Sequence, residues 1–130
     1  MGSTEPRTTP RAMLLAMVAR DPLVERIAEA QRAAQARAES LRAMVPVLAR
    51  ELASRGATRV RLFGSLATGS QPHGGTDVDL CVEGMDAAAI VDATVHVEAL
   101  AGARVDVVRW ESASERLRHR VERDGIEVGT

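Results

Sequence analysis

Three aspartates stand where strand-forming sequence is otherwise apolar. In Asp77-Val78-Asp79-Leu80, the two-residue period of a strand puts both carboxylates on one face, with Cα atoms about 6.5–7 Å apart. In Val105-Asp106-Val107-Val108 a third aspartate interrupts a second apolar run. A buried carboxylate is costly unless paired or metal-bound, and three on adjacent strands repel unless a divalent cation neutralises them. Oxygen-only donors, with no histidine or cysteine pattern nearby, point to Mg²⁺ or Mn²⁺. A second element is Leu62-Phe63-Gly64-Ser65, a strand running into glycine and serine. Glycine permits a sharp turn and the close approach of a phosphate. A short helix starting at Ser65 would add free amides and a hydroxyl, an anion site. Taken singly, a Gly-Ser turn is commonplace and Asp-x-Asp also suits a solvated edge strand. Together they read as metal-assisted nucleotidyl transfer, in which cations clamp a nucleoside triphosphate while an acceptor hydroxyl attacks its α-phosphorus in line.

The elements that position these residues follow from periodicity and caps. Residues 1–10, rich in Ser, Thr, Gly and Pro, read as a flexible leader. A short apolar patch at Met13, Leu14, Met17 and Val18 has helical spacing. Asp21-Pro22 then opens a long helix, with aspartate as N-cap and proline at the first helical position. Its apolar stripe runs from Leu23 and Ile27 through Ala30, Ala34, Ala38, Leu41, Val45 and Leu48 to Leu52, at the α-helical average of about 3.6 residues. Gly56 closes it as a left-handed cap. Pro46 is expected to kink this helix near residues 42–46 or to split it in two. Unbroken, residues 22–55 would reach about 50 Å, so the helix is expected either to overhang and meet a partner or second copy, or to fold back on its own domain.

Beyond Gly56 the pattern changes to that of an α+β domain. Strands are expected at Arg59–Phe63, Asp77–Val82 and Arg104–Arg109, with a brief last one at Ile126–Val128. A Gly/Ser/Pro loop covers 69–76. Asp86 caps a helix running to about Ala101, and Gly102 stops it. Ser112-Ala113-Ser114-Glu115 is a capping box for a last helix ending near Asp124-Gly125. The expected layout is a leader (1–10), an N-terminal helical region (11–55) and a small mixed sheet packed on helices (56–130), one domain overall.

Composition mainly excludes. All 17 basic residues are arginine, against 18 acidic ones, for a net charge of -1. Without lysine there is no Walker-type phosphate loop, Schiff-base enzyme or pyridoxal enzyme. Phe63 and Trp110 are the only aromatics, so no base-stacking platform can form, and the near-neutral charge argues further against direct nucleic-acid binding. Cys81 is alone and inside an apolar run, which suits a buried small side chain in a reducing cytoplasm. No apolar run approaches the roughly 20 residues of a membrane span.

The order of strand, Gly-Ser, helix, Asp-x-Asp strand, helix and Asp-bearing strand resembles the minimal nucleotidyltransferases of the DNA polymerase beta superfamily. The resemblance runs from about residue 46 to the end. It rests on Leu62-Phe63-Gly64-Ser65, Thr76-Asp77-Val78-Asp79-Leu80 and Val105-Asp106-Val107-Val108, with Leu117 to Val128 similar to the family's closing helix. It implies that Gly64 and Ser65 hold triphosphate oxygens and that Asp77 and Asp79 ligate both metals. Asp106 would ligate the catalytic Mg²⁺ (or Mn²⁺) and help activate the acceptor hydroxyl, with ATP as co-substrate. Such proteins are usually antitoxins of HEPN-domain ribonuclease toxins, and some silence the toxin by attaching AMP to one of its tyrosines. The chain departs from the family in two places. The 66–76 segment is longer by a residue, and Thr68 stands where the Gly-Ser-x-Ala-Arg-Gly pattern has arginine. Arg61 or Arg109 either compensates or is a surface strand residue.

The resemblance therefore implies an antitoxin-type, Mg-dependent transferase moving AMP onto a partner toxin. The competing expectation is a weak or inactive module of the same fold that neutralises a toxin by complex formation, through the long helix. A small-molecule transferase lacks residues for an acceptor-recognition domain, and a polymerase lacks a thumb and a basic groove. His73 is read as a solvated loop residue, and His96 and His119 as ordinary helix residues. Arg116, Arg118, Arg120 and Arg123 suit a helix C-terminus or a docking surface for an acidic partner or RNA.

Overall fold

The computed structural model describes residues 9–70 and 76–129. Residues 1–8 of the expected leader, and the loop residues 71–75 with His73, lie outside them. The chain divides into two compact units, one ending at Arg37 and one beginning at Ala38. In the first, α1 (Pro10–Ala19) starts from Thr9, whose hydroxyl accepts from the Ala12 amide at 3.1 Å. Thr9 and Pro10, expected in the leader, are thus the cap and first residue of a helix. α1 has no buried residue, and Leu14, Leu15 and Met17 are all exposed. Asp21 opens α2 (Pro22–Ser54) as expected, its carboxylate accepting from Leu23 N at 2.8 Å. α2 runs through Pro46 as one helix and is not split there. Pro46 is exposed, so the Arg42 carbonyl left without its usual partner faces the watery side of the helix, where the loss is least costly.

In the second unit, the buried stripe of α2 is Leu41, Val45, Leu48, Ala49 and Leu52. After Gly56 come β1 (Arg59–Phe63), the four-residue α3 (Ser65–Thr68), β2 (Val78–Glu83), α4 (Ala87–Ala101), β3 (Val105–Arg109), α5 (Glu115–Asp124) and β4 (Ile126–Glu127). The strands form one sheet in the order β3-β2-β1-β4, with β2 and β3 parallel and the other pairs antiparallel. This is the α+β class expected. The parallel pair requires a crossover, which α4 supplies. Alternation sorts the strand residues onto two faces. Val60, Leu62, Val78, Leu80, Val82, Val105 and Val107 pack with α2, and with Ala93 and Val97 of α4, in the main core. On the other face Phe63 and Cys81 pack with Val121 of α5, flanked by Val108, Trp110 and Leu117.

Two local expectations shift. β2 begins at Val78, so Asp77 lies just outside the strand rather than in it. The last helix is capped by Ser114, whose hydroxyl accepts from Leu117 N at 3.1 Å, and not by Ser112. The backbone of Trp110 to Ala113 instead turns, with Ala113 N bonded to Trp110 O. Among the described residues, no helix is long and apolar enough to cross a membrane.

Leu48, with no exposed surface in the core, should cost about 2–5 kcal/mol when cut to alanine. Leu14→Ala, on the exposed α1, should shift the same urea-unfolding free energy by less than about 0.5 kcal/mol.

Candidate active site

The site lies where β1 ends and β2 and β3 begin. Phe63 pairs with Asp79 across the antiparallel ladder, and Asp79 pairs with Asp106 across the parallel one. Phe63, Asp79 and Asp106 therefore stand abreast on one face, about 5 Å apart from strand to strand. Directly after Phe63 the backbone turns at Gly64, with φ 74° and ψ -158°, a combination that is essentially glycine-only. The glycine is also required sterically, because a Cβ here would sit 2.2 Å from Asp79 Oδ2. The bare backbone of the turn and the Asp79 carboxylate are thus in direct contact. Ser65 then opens α3, and Gly69 closes it in the left-handed conformation, its amide bonded to Ser65 O at 2.8 Å.

Asp79 is half-buried. Burial pushes its carboxyl above the ordinary aspartate range, the Thr76 hydroxyl (donating to Oδ1 at 3.1 Å) pulls it down, Asp106 pushes it up again and Arg120 opposes that, with a net upward shift. Asp106 is exposed. Asp77 lies just before the start of β2. Its Oδ2 accepts from Arg104 N at 3.1 Å, and its own amide donates to Arg104 O at 3.0 Å. Asp77 thereby ties the start of β2 to the start of β3. Among the described residues, no three His, Cys, Asp or Glu side chains converge as a metal-ligating group.

The structure therefore brings Gly64, Asp79 and Asp106 together with Ser65 next in the chain, and holds Asp77 at the strand mouth against Arg104. The donor set suits a hard cation. Asp79 and Asp106 are two adjacent carboxylates whose mutual repulsion a divalent ion relieves, and all their donor atoms are oxygen.

Neither arginine considered as a stand-in for the residue missing at position 68 is free. Arg61 is 6% exposed, its Cζ 4.4 Å from the Trp110 ring centroid and its Nη2 3.5 Å from Glu83 Oε2. Its Nε is buried without a hydrogen-bond partner. Arg109 Nε donates to Met85 O at 2.8 Å. Thr68 itself donates to Gly64 O at 3.2 Å and shares a hydrogen bond with Ser70. The residue that reasoning from spacing missed is Arg42. Its Nε donates to Leu66 O at 2.9 Å and fastens α3 to α2. Nothing local signals a contact between residues that far apart in sequence.

A family model for the nucleotidyltransferase domain matches residues 45–127. The chain belongs to this family. The matched span takes in the Gly64-Ser65 turn and all three aspartates. Solved structures agree with the nucleotidyltransferase fold. One, of a candidate minimal nucleotidyltransferase, is 34% identical, with 68% of this chain and 93% of that chain covered and a TM-score of 0.59. A toxin–antitoxin structure with AMP-PNP is 28% identical over 62% of this chain and 69% of that one, with a TM-score of 0.54. A tri-AMPylated Shewanella oneidensis HEPN toxin in complex with MNT antitoxin shares the fold at 21% identity, covering 72% and 73%, with a TM-score of 0.52. No match was found among curated protein sequences.

Two substitutions test this candidate site. Gly64→Ala should cost about 1–3 kcal/mol and displace the Asp79 carboxylate, read by thermal denaturation and by loss of nucleotide binding. Asp79→Asn has the opposite effect on stability. The raised carboxyl means that the folded state holds its proton as pH climbs past the unfolded value, so stability falls through that window and the penalty persists above it. In EDTA, Asp79→Asn should therefore melt above the parent chain at pH 7, with the difference vanishing below the ordinary aspartate range.

Proposed function

We propose that the chain transfers AMP from ATP to a partner protein, an HEPN-type ribonuclease toxin, and so acts as its antitoxin. The observation that carries this reading is the contact of the Gly64 backbone with Asp79, abreast of Asp106, inside a nucleotidyltransferase domain. The toxin–antitoxin structure with AMP-PNP, similar at 28% identity, supports both the nucleotide and the kind of partner.

In this reading the bare turn at Gly64 lets phosphate oxygens approach the backbone, and the Ser65 hydroxyl donates to them. Asp77, Asp79 and Asp106 would hold Mg²⁺, which would supply Lewis-acid stabilisation of the transferring phosphoryl group. Asp106, the exposed carboxylate of the pair, takes the proton from the acceptor hydroxyl. The acceptor oxygen forms a bond to the α-phosphorus, the α–β phosphoanhydride bond breaks, and pyrophosphate leaves with its electron pair. Thr76 orients Asp79 through its hydrogen bond to Oδ1. With no tyrosine in the sequence, an acceptor tyrosine belongs to another protein. Cytoplasmic placement goes with a cytoplasmic ribonuclease partner.

A second reading has its own observation. Asp77 is engaged with the Arg104 amide and position 68 carries no cation, which fits a module that neutralises its toxin by binding alone. Co-purified chain and toxin with Mg-ATP decide between them. Transfer adds the mass of AMP to the toxin by intact-mass spectrometry, and Asp77→Ala and Asp79→Ala each bring it to the uncatalysed background. Transfer that survives in both variants would overturn the mechanism, and a stoichiometric complex with no adduct would establish the binding module.

A further inference from the structure

An open groove of about 530 Å³ runs along α5, lined by Glu115, Arg116, His119, Arg120 and Arg123. These positions recur at steps of one, three and four, so the arginines share one side of the helix. The opposite side packs Leu117 and Val121 against Phe63. Arg120 reaches around to this contact, its Cζ 5.8 Å from the Phe63 ring centroid. Phe63 is the residue before Gly64 and the register partner of Asp79, so the guanidinium stands at the rim of the site. Its charge is felt by the Asp79 carboxyl.

Arg120 and Arg116 make no ion pair or hydrogen bond with another described residue. The other guanidinia on this side of the sheet are committed. Arg59 pairs with Glu83 and Glu127, and Arg61 lies against Trp110 and Glu83. Arg118 donates to the carbonyls of Trp110 and Glu111, and Arg123 pairs with Asp124. With no lysine in the chain, a fixed positive charge beside the Gly64-Ser65 turn has to be an arginine. A guanidinium offers the two-pronged donor geometry that phosphate takes best.

We propose that Arg120, seconded by Arg116 one turn earlier, holds the terminal phosphates of the bound nucleotide at the α5 rim of the site. This rests on the nucleotidyltransferase reading of the same site and assigns it a residue for recognising the triphosphate. The leaving pyrophosphate then departs into the α5 groove, where arginine neutralises its charge.

Calorimetric titration of the purified chain with ATP, ADP and AMP in Mg²⁺ tests it. Arg120→Gln should weaken ATP by about 10- to 100-fold, the range for a lost hydrogen bond to a charged group, with AMP unchanged. Arg120→Lys should recover part of the loss, since the charge remains and the fork does not. Arg116→Gln should lose less than Arg120→Gln. Equal losses for ATP and AMP would overturn the proposal, because the side chain would then act through Asp79 or the fold. Unchanged ATP affinity would also overturn it while leaving the transferase reading intact, and a weakened toxin complex in that case would make the groove a protein-docking surface. A parent chain that binds no nucleotide would overturn the transferase reading and this proposal with it.

Discussion

The structure turns on one crowded carboxylate. Asp79 sits half-buried at the start of β2, with the Gly64 backbone pressed against its Oδ2, Thr76 donating to its Oδ1 and Asp106 alongside. Removing such a group from water beside a like charge is unfavourable, and the folded chain tolerates it because the rest of the sheet over-determines its place. The main core fixes β2 through Val78, Leu80 and Val82, each fully buried on the opposite face. A residue whose neighbours are locked in this way cannot swing its backbone aside, so the carboxylate stays in place. The local cost at this one position is offset by a well-packed core.

The same constraint explains several details around it. Gly64 must lack a side chain because Asp79 occupies the space a Cβ needs. Arg42 fastens α3 from behind, so the turn is held from both faces of the sheet. Asp77 contributes to the architecture as well as to the chemistry proposed for it, since its bonds to Arg104 set the register in which β3 brings Asp106 beside Asp79. Arg61 and Trp110 close the other end of this face. The buried arginine there supports packing.

Much of this was legible in residue order. The Asp21-Pro22 start, the Asp86 cap and the Gly102 stop all appear in the structure, because they depend on interactions within a few residues. So do the strands, whose alternation reflects a buried face. Of the expected α2 stripe only Leu41 to Leu52 is buried, while Leu23 and Ile27 are exposed. The misplacements are also instructive. Ser112 and Ser114 offer the same side-chain chemistry, and the choice of cap was made by the turn that follows β3. Of the kink or split expected at Pro46, the split does not occur; its neighbours Val45 and Leu48 are gripped by the core, and packing outweighs one missing hydrogen bond.

Sequence alone determined which groups are present: oxygen ligands without nitrogen or sulfur partners, a glycine-serine turn, arginine as the only strong cation, and a nucleotidyltransferase order of elements. These are matters of residue type and short spacing. Only the tertiary structure decided which groups meet. The strand order β3-β2-β1-β4 lays Phe63, Asp79 and Asp106 abreast, turns Asp77 toward Arg104, buries Arg61 and brings Arg120 from the last helix to the first strand's end. Those pairings join residues far apart in the chain. Their energies come from burial and charge in the assembled sheet, which no local period encodes.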